Sequence, residues 1–245
     1  MDTLIVIPAR MASARLPGKP LAGIGGTPMV VRVARAAGQA GFGAPLIAAA
    51  DGQIVQAAKA HGLAAVLTDP GLPSGSDRVL AAAALADPDR RKAIIVNVQG
   101  DMPELQPVHV QAVVAALRDN PHADIATLAF ASTDAQDGAD ENVVKVLMTA
   151  AARHGPVPAQ DFTRAAAAVP FWHHIGIYAY RRAALERFCA LPPSARERAE
   201  KLEQLRALEA GMRIVCARVD SDCPGIDTPA DLARIRGRFG EGDGS

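Results

Sequence analysis

Short apolar runs rich in β-branched residues alternate with helix-length segments through the first hundred residues, and this alternation limits the fold more than any other feature. Residues 4–7 form one such run and stop at Pro8; residues 46–50, 64–67 and 94–98 form three more. Runs this short and this apolar read as strands buried on both faces. Thr27-Pro28 reads as an N-cap followed by proline at the first helical position, opening a helix that runs to about Ala40, before Gly41. Residues 52–61 read as a second helix ended by Gly62, and residues 77–86 as a third, with Ser74 or Ser76 as its cap. Strands alternating with helices in this way imply βαβ units, hence an α/β fold whose sheet is mostly parallel and flanked by helices.

The pattern loosens further on. Residues 108–118 still look helical and residues 125–130 strand-like. Two more strands are expected at 143–148 and 175–180, separated by a stretch rich in proline and alanine. Residues 197–210 read as one charged helix closed by Gly211, and residues 213–219 as a last strand. Thr228-Pro229-Ala230-Asp231 combines an N-cap, a proline at the first helical position and a capping acid, and so begins a final helix. No repeat, long linker or composition break marks a second domain, so residues 1–240 are expected to form a single domain, with 241–245 a disordered tail.

Composition removes several classes of function. Lys and Arg total 26 and Asp and Glu total 26, so a globally basic nucleic-acid binder is not expected. Aromatic residues are 4%, too few for a platform that stacks bases. Hydrophobic residues are 49%, which excludes a disordered polyelectrolyte, yet no apolar run reaches the roughly 18 residues of a membrane span. Cys189, Cys216 and Cys223 contain no C-x-x-C pair and are expected as inert thiols in a reducing compartment. The chain enters its first strand with no basic segment and long apolar core ahead of it, and a cytoplasmic protein is expected.

Four segments carry the chemistry. The first follows the first strand, Ile7-Pro8-Ala9-Arg10-Met11-Ala12-Ser13-Ala14-Arg15-Leu16-Pro17-Gly18-Lys19-Pro20. It leaves a carboxyl end of the sheet, where parallel α/β sheets bind ligands. It holds Arg10, Arg15 and Lys19 and no acid, so it is either a solvated basic loop or a seat for a polyanion such as a triphosphate. The second is Gln99-Gly100-Asp101, at the end of an apolar strand. Asp101 is either a turn-capping residue or a Mg²⁺ ligand, since Mg²⁺ is held by one or two carboxylates plus substrate phosphates. The third, Gly225-Ile226-Asp227, supplies either a helix-cap element or a second carboxylate for that ion. The fourth, Ser74-Gly75-Ser76-Asp77-Arg78, is a helix start whose backbone N–H groups could meet polar ligand atoms.

These segments resemble the 3-deoxy-manno-octulosonate (Kdo) cytidylyltransferase family, the CMP-Kdo synthetases, along nearly the whole chain. The matching motifs are IPARMASARLPGKPL at 7–21, SGSDR at 74–78, NVQGD at 97–101, VKV at 144–146, FTR at 162–164, HIGIYAYR at 174–181, KLEQLR at 201–206 and IDTPADL at 226–232. The resemblance implies the nucleotide-diphospho-sugar transferase fold, a Rossmann-like mixed sheet, and a homodimer. It implies transfer of CMP from CTP to Kdo, for lipopolysaccharide synthesis, with Mg²⁺ as cofactor. Arg10, Arg15 and Lys19 would hold the CTP phosphates, with Ser13 in the same loop, and Arg15, Lys19 and Asp101 would be catalytic. Ala9, Ser74, Gly75 and Arg78 would recognise cytosine and ribose. Asp101 and Asp227 would ligate Mg²⁺. Gln99, Arg164, His174 and Glu203 would bind the sugar acid, and Arg206 shares the motif of Glu203.

The chain departs from the family pattern on the side expected for the sugar. Met102 stands where an acid is usual after Gln-Gly-Asp, Asp161 replaces an aromatic residue, and the stretch between Pro170 and His173 is short. After the second strand Ala49-Ala50-Asp51-Gly52 replaces an Ala-Thr-Asp-His type of segment. The resemblance implies Kdo as the acceptor, these departures keep an amino-substituted Kdo or a nonulosonic acid as the alternative, and a nucleotide binder without turnover is the other class. Trp172 and His173 are expected in a loop packed before a strand, since adjacent histidines on a strand face opposite sides and make a poor metal pair.

Overall fold

The computed structural model describes residues 2–148 and 155–240; the tail expected at 241–245 lies outside the described residues. The chain crosses twice between two compact units, after Pro107 and after Asp222. Residues up to Pro107 and from Cys223 onward form the first unit, and Val108–Asp222 the second. No shift in composition accompanies either crossing.

In the first unit the apolar runs become β1 (Thr3–Ala9), followed by a hairpin of β2 (Gly23–Ile24) and β3 (Thr27–Pro28), then α1 (Met29–Gly38), β4 (Leu46–Ala49), α2 (Gly52–Ala60), β5 (Ala64–Leu67), α3 (Gly75–Ala86) and β6 (Ile94–Asn97). Here the strands run in the order β5-β4-β1-β6 and all pair in parallel, with Val6 beside Leu46, Leu46 beside Ala64 and Thr3 beside Ile94. Every residue of β4 and β6 is buried, as continuous apolar strands in a covered parallel sheet must be, whereas both ends of β5 are exposed at the edge.

The second unit contains α4 (Pro107–Asp119, starting on the last residue of the first unit), β7 (Ile125–Ser132), α5 (Ala135–Ala139), β8 (Lys145–Met148), β9 (Val157–Thr163), β10 (Phe171–Arg181), α6 (Arg182–Ala190), α7 (Ala195–Glu200), α8 (Gln204–Glu209) and β11 (Ile214–Val219). β7 and β11 are parallel, while β10 pairs with β7, and β9 with β11 and β8, in antiparallel fashion. The mixed character of the sheet is concentrated in this unit. The chain then returns to the first unit for α9 (Pro229–Arg238), where Thr228 accepts from the Asp231 N–H and Asp231 accepts from the Thr228 N–H, the capping box read from the sequence.

Four local expectations change. Thr27 does not cap α1, because Gly25 and Gly26, at φ of 58° and 69°, close a tight hairpin that uses Thr27 and Pro28 as a strand; the helix starts at Met29 and ends at Gly38. The helix expected at 197–210 is two helices, because Lys201 takes a left-handed conformation (φ 55°) and turns the chain so that Leu202 is buried. Trp172 and His173 belong to β10, which begins at Phe171. Finally, residues expected only as a Pro/Ala-rich connection include β9, whose inward side chains are Val157, Ala159 and Phe162.

Phe162 is fully buried and meets the His174 ring edge-on, with centroids 4.9 Å apart. Phe162→Ala is expected to lower stability by about 3–5 kcal/mol, read as a fall in the urea midpoint by circular dichroism.

Candidate functional site

The loop after β1 is closed on itself by short-range bonds. The Gly18 N–H donates to the Met11 carbonyl at 3.0 Å, the Lys19 N–H to the Leu16 carbonyl at 3.2 Å, and the Leu16 N–H to Ser13 Oγ at 3.3 Å. Gly18 at φ 74° makes the sharp turn that a side chain would strain, and a single 3₁₀ turn, Lys19–Leu21, follows it. The turn directs Lys19 inward. Its Nζ donates to Asp101 Oδ2 at 2.6 Å and to Asp227 Oδ1 at 3.1 Å, while Arg15 Nη2 lies 2.8 Å from Asp227 Oδ2. Three stretches far apart in sequence thus meet at one point.

Each acid is held by its neighbours. Gly100 lies against the end of β1 so closely that a Cβ there would come 3.0 Å from the Pro8 carbonyl oxygen, so a larger residue would push Asp101 away from the strand. The Asp101 carbonyl accepts the Ile226 N–H at 2.9 Å, which links the two acidic segments through the backbone. Ile226 is fully buried in a cluster with Ile24, Met29, Leu232 and Ile235, and this anchors Asp227 next to it. Asp227 therefore does not serve as a helix cap; that work falls to Thr228 and Asp231.

Burial by itself would lower the Lys19 pKa, but the two carboxylates outweigh it and hold the ammonium above its ordinary value. Lys19 marks where a cation is favoured between Asp101 and Asp227. Two carboxylates are oxygen-only donors, and among the described residues no group of three or more His, Cys, Asp or Glu gathers into a complete metal cage. That donor set suits Mg²⁺ shared with substrate phosphates rather than a self-sufficient protein site.

The other residues expected around the nucleotide are also in the first unit. Ser74 caps α3 by accepting the Asp77 N–H at 3.2 Å and donates its hydroxyl proton to Asp77 Oδ2 at 2.7 Å. Gly75 lies over Pro8, and Ala9 ends β1 paired with Ala49. Arg10 is exposed. Arg78 is buried, and its Nη1 donates to Thr68 Oγ1 at 2.6 Å and to the Asp69 carbonyl at 3.0 Å, bracing the loop between β5 and α3. Burial and the nearby Arg10 charge depress its pKa. Gln99 donates to Asn97 Oδ1 at 3.3 Å.

Arg164, His174 and Glu203 lie in the second unit. Arg164 Nε donates to the Glu200 carbonyl at 2.8 Å, and its Nη1 to the carbonyls of Glu141 and Asn142 at 2.9 and 3.3 Å, so much of its guanidinium already braces the chain. The His174 Nε2 is bonded to Thr127 Oγ1 at 2.9 Å, inside a row of rings that includes Phe162 and Tyr178. Glu203 stands at the start of α8; burial above all, then Tyr180 and the Glu203 charge, raise the Tyr178 hydroxyl pKa well above its usual range. Tyr178 was not singled out in the sequence; its place four residues from His174 on one strand is the signal that could have found it.

The family departures are absorbed structurally. Met102 is buried at 6% exposure, and Asp161 receives two bonds from Arg196 Nη2, at 2.9 and 3.0 Å. Arg206, part of the KLEQLR motif, grips Glu197 with Nε at 2.8 Å and Nη2 at 2.7 Å, and both side chains are nearly buried. It welds α7 to α8 across the break at Lys201.

Two outcomes follow from these contacts. Arg206→Met would leave Glu197 as an uncompensated buried charge, and a loss of roughly 3–5 kcal/mol is expected in urea denaturation. His174 is held neutral by burial, with the His173 field adding to the effect, and its pKa falls from 6.5 to about 3. The unfolded chain takes up that proton below its ordinary value and the folded one does not. Stability present above pH 6.5 is therefore lost as the pH falls toward about 3, with a slope approaching ~1.4 kcal/mol per pH unit. His174→Gln is expected to remove that slope between pH 6 and pH 4, as read by denaturant midpoints.

Comparisons with known proteins bear on the family and the fold. The sequence model of a family described as cytidylyltransferase matches residues 4–214. A 3-deoxy-manno-octulosonate cytidylyltransferase from Azorhizobium caulinodans is 50% identical over 245 residues, covering 99% of this chain and 97% of that protein. Its counterpart from Parvibaculum lavamentivorans is 54% identical over 237 residues, covering 95% and 91%. The solved structure of a CMP:2-keto-3-deoxy-manno-octonic acid synthetase complexed with CTP superposes with a TM-score of 0.88 at 36% identity, over 98% of this chain and 99% of that one. A cytidylyltransferase from Leptospira borgpetersenii shares the fold at 18% identity and a TM-score of 0.63, over 96% of this chain and 85% of that one. The family match over most of the chain, with relatives half identical along nearly its whole length, places this chain in the 3-deoxy-manno-octulosonate cytidylyltransferase family.

Proposed function

We propose that this chain transfers the cytidylyl group of CTP to the anomeric hydroxyl of Kdo and releases pyrophosphate, giving the activated sugar used for lipopolysaccharide. The observation that carries the reading is the convergence of Lys19 with Asp101 and Asp227, at 2.6 and 3.1 Å, at the carboxyl end of a parallel sheet. It joins membership of the family to a site with the charges the reaction needs.

In this reaction the sugar oxygen forms a bond to the α-phosphorus as the bond to the β-phosphate breaks in line, and the charge moves onto pyrophosphate. Positioning and charge neutralisation dominate such a step, and no covalent nucleophile is required. Arg10, Arg15 and Lys19 would bind the triphosphate, with Lys19 exchanging its carboxylate partners for phosphate oxygens. Asp101 and Asp227 would hold Mg²⁺, which when bound neutralises phosphate charge. Ala9, Ser13, Ser74 and Gly75 would line the nucleoside, while Gln99, Arg164, His174 and Glu203 would receive the sugar acid. His174, held neutral, would meet it as a hydrogen-bonding ring and not as a cation.

The same reading places the enzyme in the cytoplasm as a homodimer. Its three cysteines are thiols, and no helix among the described residues is long and apolar enough to cross a membrane, which is consistent with that setting.

Pyrophosphate release from CTP and Mg²⁺ across a panel of sugar acids tests the function. Release with Kdo is expected; release only with an amino-substituted Kdo or a nonulosonic acid would transfer the reading to that acceptor, and CTP binding without release would refute catalysis. Asp101→Asn is expected to lower turnover by at least ~100-fold with an unchanged circular dichroism spectrum, and a near-wild-type rate would remove Asp101 from the metal site.

A further inference from the structure

Asp51 follows β4 and occupies the N-cap position of α2, with extended backbone angles of φ −129° and ψ 137°. An aspartate there ordinarily accepts an N–H from the first turn of its own helix, an interaction worth about 1 kcal/mol. Asp51 makes no such bond. Its Oδ2 accepts instead the N–H of Met11, 40 residues away, at 2.8 Å. One residue earlier, the Ala50 N–H donates to the Ala9 carbonyl at 2.9 Å, so the end of β1 is tied to the end of β4 twice in succession.

Met11 is the pivot of the cationic loop. Its N–H is held by Asp51, and its carbonyl accepts the Gly18 N–H at 3.0 Å. Gly18 is followed directly by Lys19, whose Nζ must reach Asp101 and Asp227. Two hydrogen bonds therefore run from the core strand β4 to the lysine. The acid also has an electrostatic cost: it opposes part of the Arg10 field at Arg78, and a negative charge here weakens the positive potential that an incoming polyanion would feel. A carboxylate that leaves its own helix uncapped, in a site built for an anion, is accounted for by what it holds.

We propose that Asp51 is a positioning residue for cytidylyl transfer: by anchoring the Met11 peptide it fixes the loop that carries Arg15 and Lys19. This rests on the function proposed above. The role requires an acceptor oxygen at the right reach and does not require a negative charge. Asn supplies the oxygen, Ala removes it, and Ser caps α2 with a hydroxyl too short to span to Met11.

The test compares wild type with Asp51→Ala, Asp51→Asn and Asp51→Ser. Amide hydrogen exchange at Met11 reads the anchor without reference to activity, and steady-state kinetics with CTP varied at saturating sugar acid read its consequence. Asp51→Ala is expected to speed Met11 exchange and to raise KM for CTP by ~10-fold, the equivalent of one charge-assisted hydrogen bond, with kcat falling as Lys19 loses its place. Asp51→Asn is expected to restore slow exchange and to bring KM back to within about threefold of wild type. Asp51→Ser is expected to follow Asp51→Ala while keeping α2 intact, and it carries the test if the alanine variant does not fold. Slow exchange and a wild-type KM in the Ala or Ser variant would overturn the proposal. So would an Asn variant as impaired as the Ala variant, since the charge and not the acceptor would then matter. A wild type that binds no CTP would overturn the transfer reading, and this proposal with it.

Discussion

The Lys19 ammonium between the carboxylates of Asp101 and Asp227 is the contact on which the first unit is organised. It ties the loop after β1 to a strand end 82 residues away and to a return segment 208 residues away. A half-buried lysine is costly to desolvate, and two acids offset that cost only if both are held in place. The backbone supplies that hold through the close approach of Gly100 to Pro8, the Asp101–Ile226 bond and the burial of Ile226. The same arrangement sets an ammonium between two carboxylate donors, the charges on which the proposed cytidylyl transfer would draw.

Charge in the second unit is spent differently. Arg164 braces three backbone carbonyls, Arg196 grips Asp161, and Arg206 is locked to Glu197. His174 is neutral within a row of rings. These contacts fix a chain whose connections are irregular, and they explain how Asp161 can replace an aromatic residue without leaving an unmet charge. The zero net charge of the whole sequence conceals this distribution: acids absent from the cationic loop itself reach it from Asp51, Asp101 and Asp227 in the folded unit.

Legibility in the sequence followed the range of the forces involved. The buried runs of β1, β4, β5 and β6 were legible because a strand covered on both faces is apolar throughout. Ser74 and Thr228 were legible because a cap acts within three residues of itself. The β2–β3 hairpin was missed although Gly25-Gly26 signals it, because Thr27-Pro28 is an equally good helix start. β9 and the first part of β10 carry weak local patterns and exist because β8, β7 and β11 pair with them. The break between α7 and α8 depends on Lys201 adopting a left-handed turn that its side chain does not favour, held by the Arg206–Glu197 pair across it.

The sequence by itself determined the parallel α/β half of the fold, the cationic loop, the acids at the two later segments and, through its motifs, the family. Those properties are local or compositional, and they survive in a linear string. Only the tertiary structure decided that Lys19 faces Asp101 and Asp227, that Arg78 and Arg206 brace the chain, and that Asp51 turns away from its own helix to hold Met11. Each of those choices depends on distances between segments tens to hundreds of residues apart, and packing and backbone hydrogen bonds set such distances only once the chain has folded.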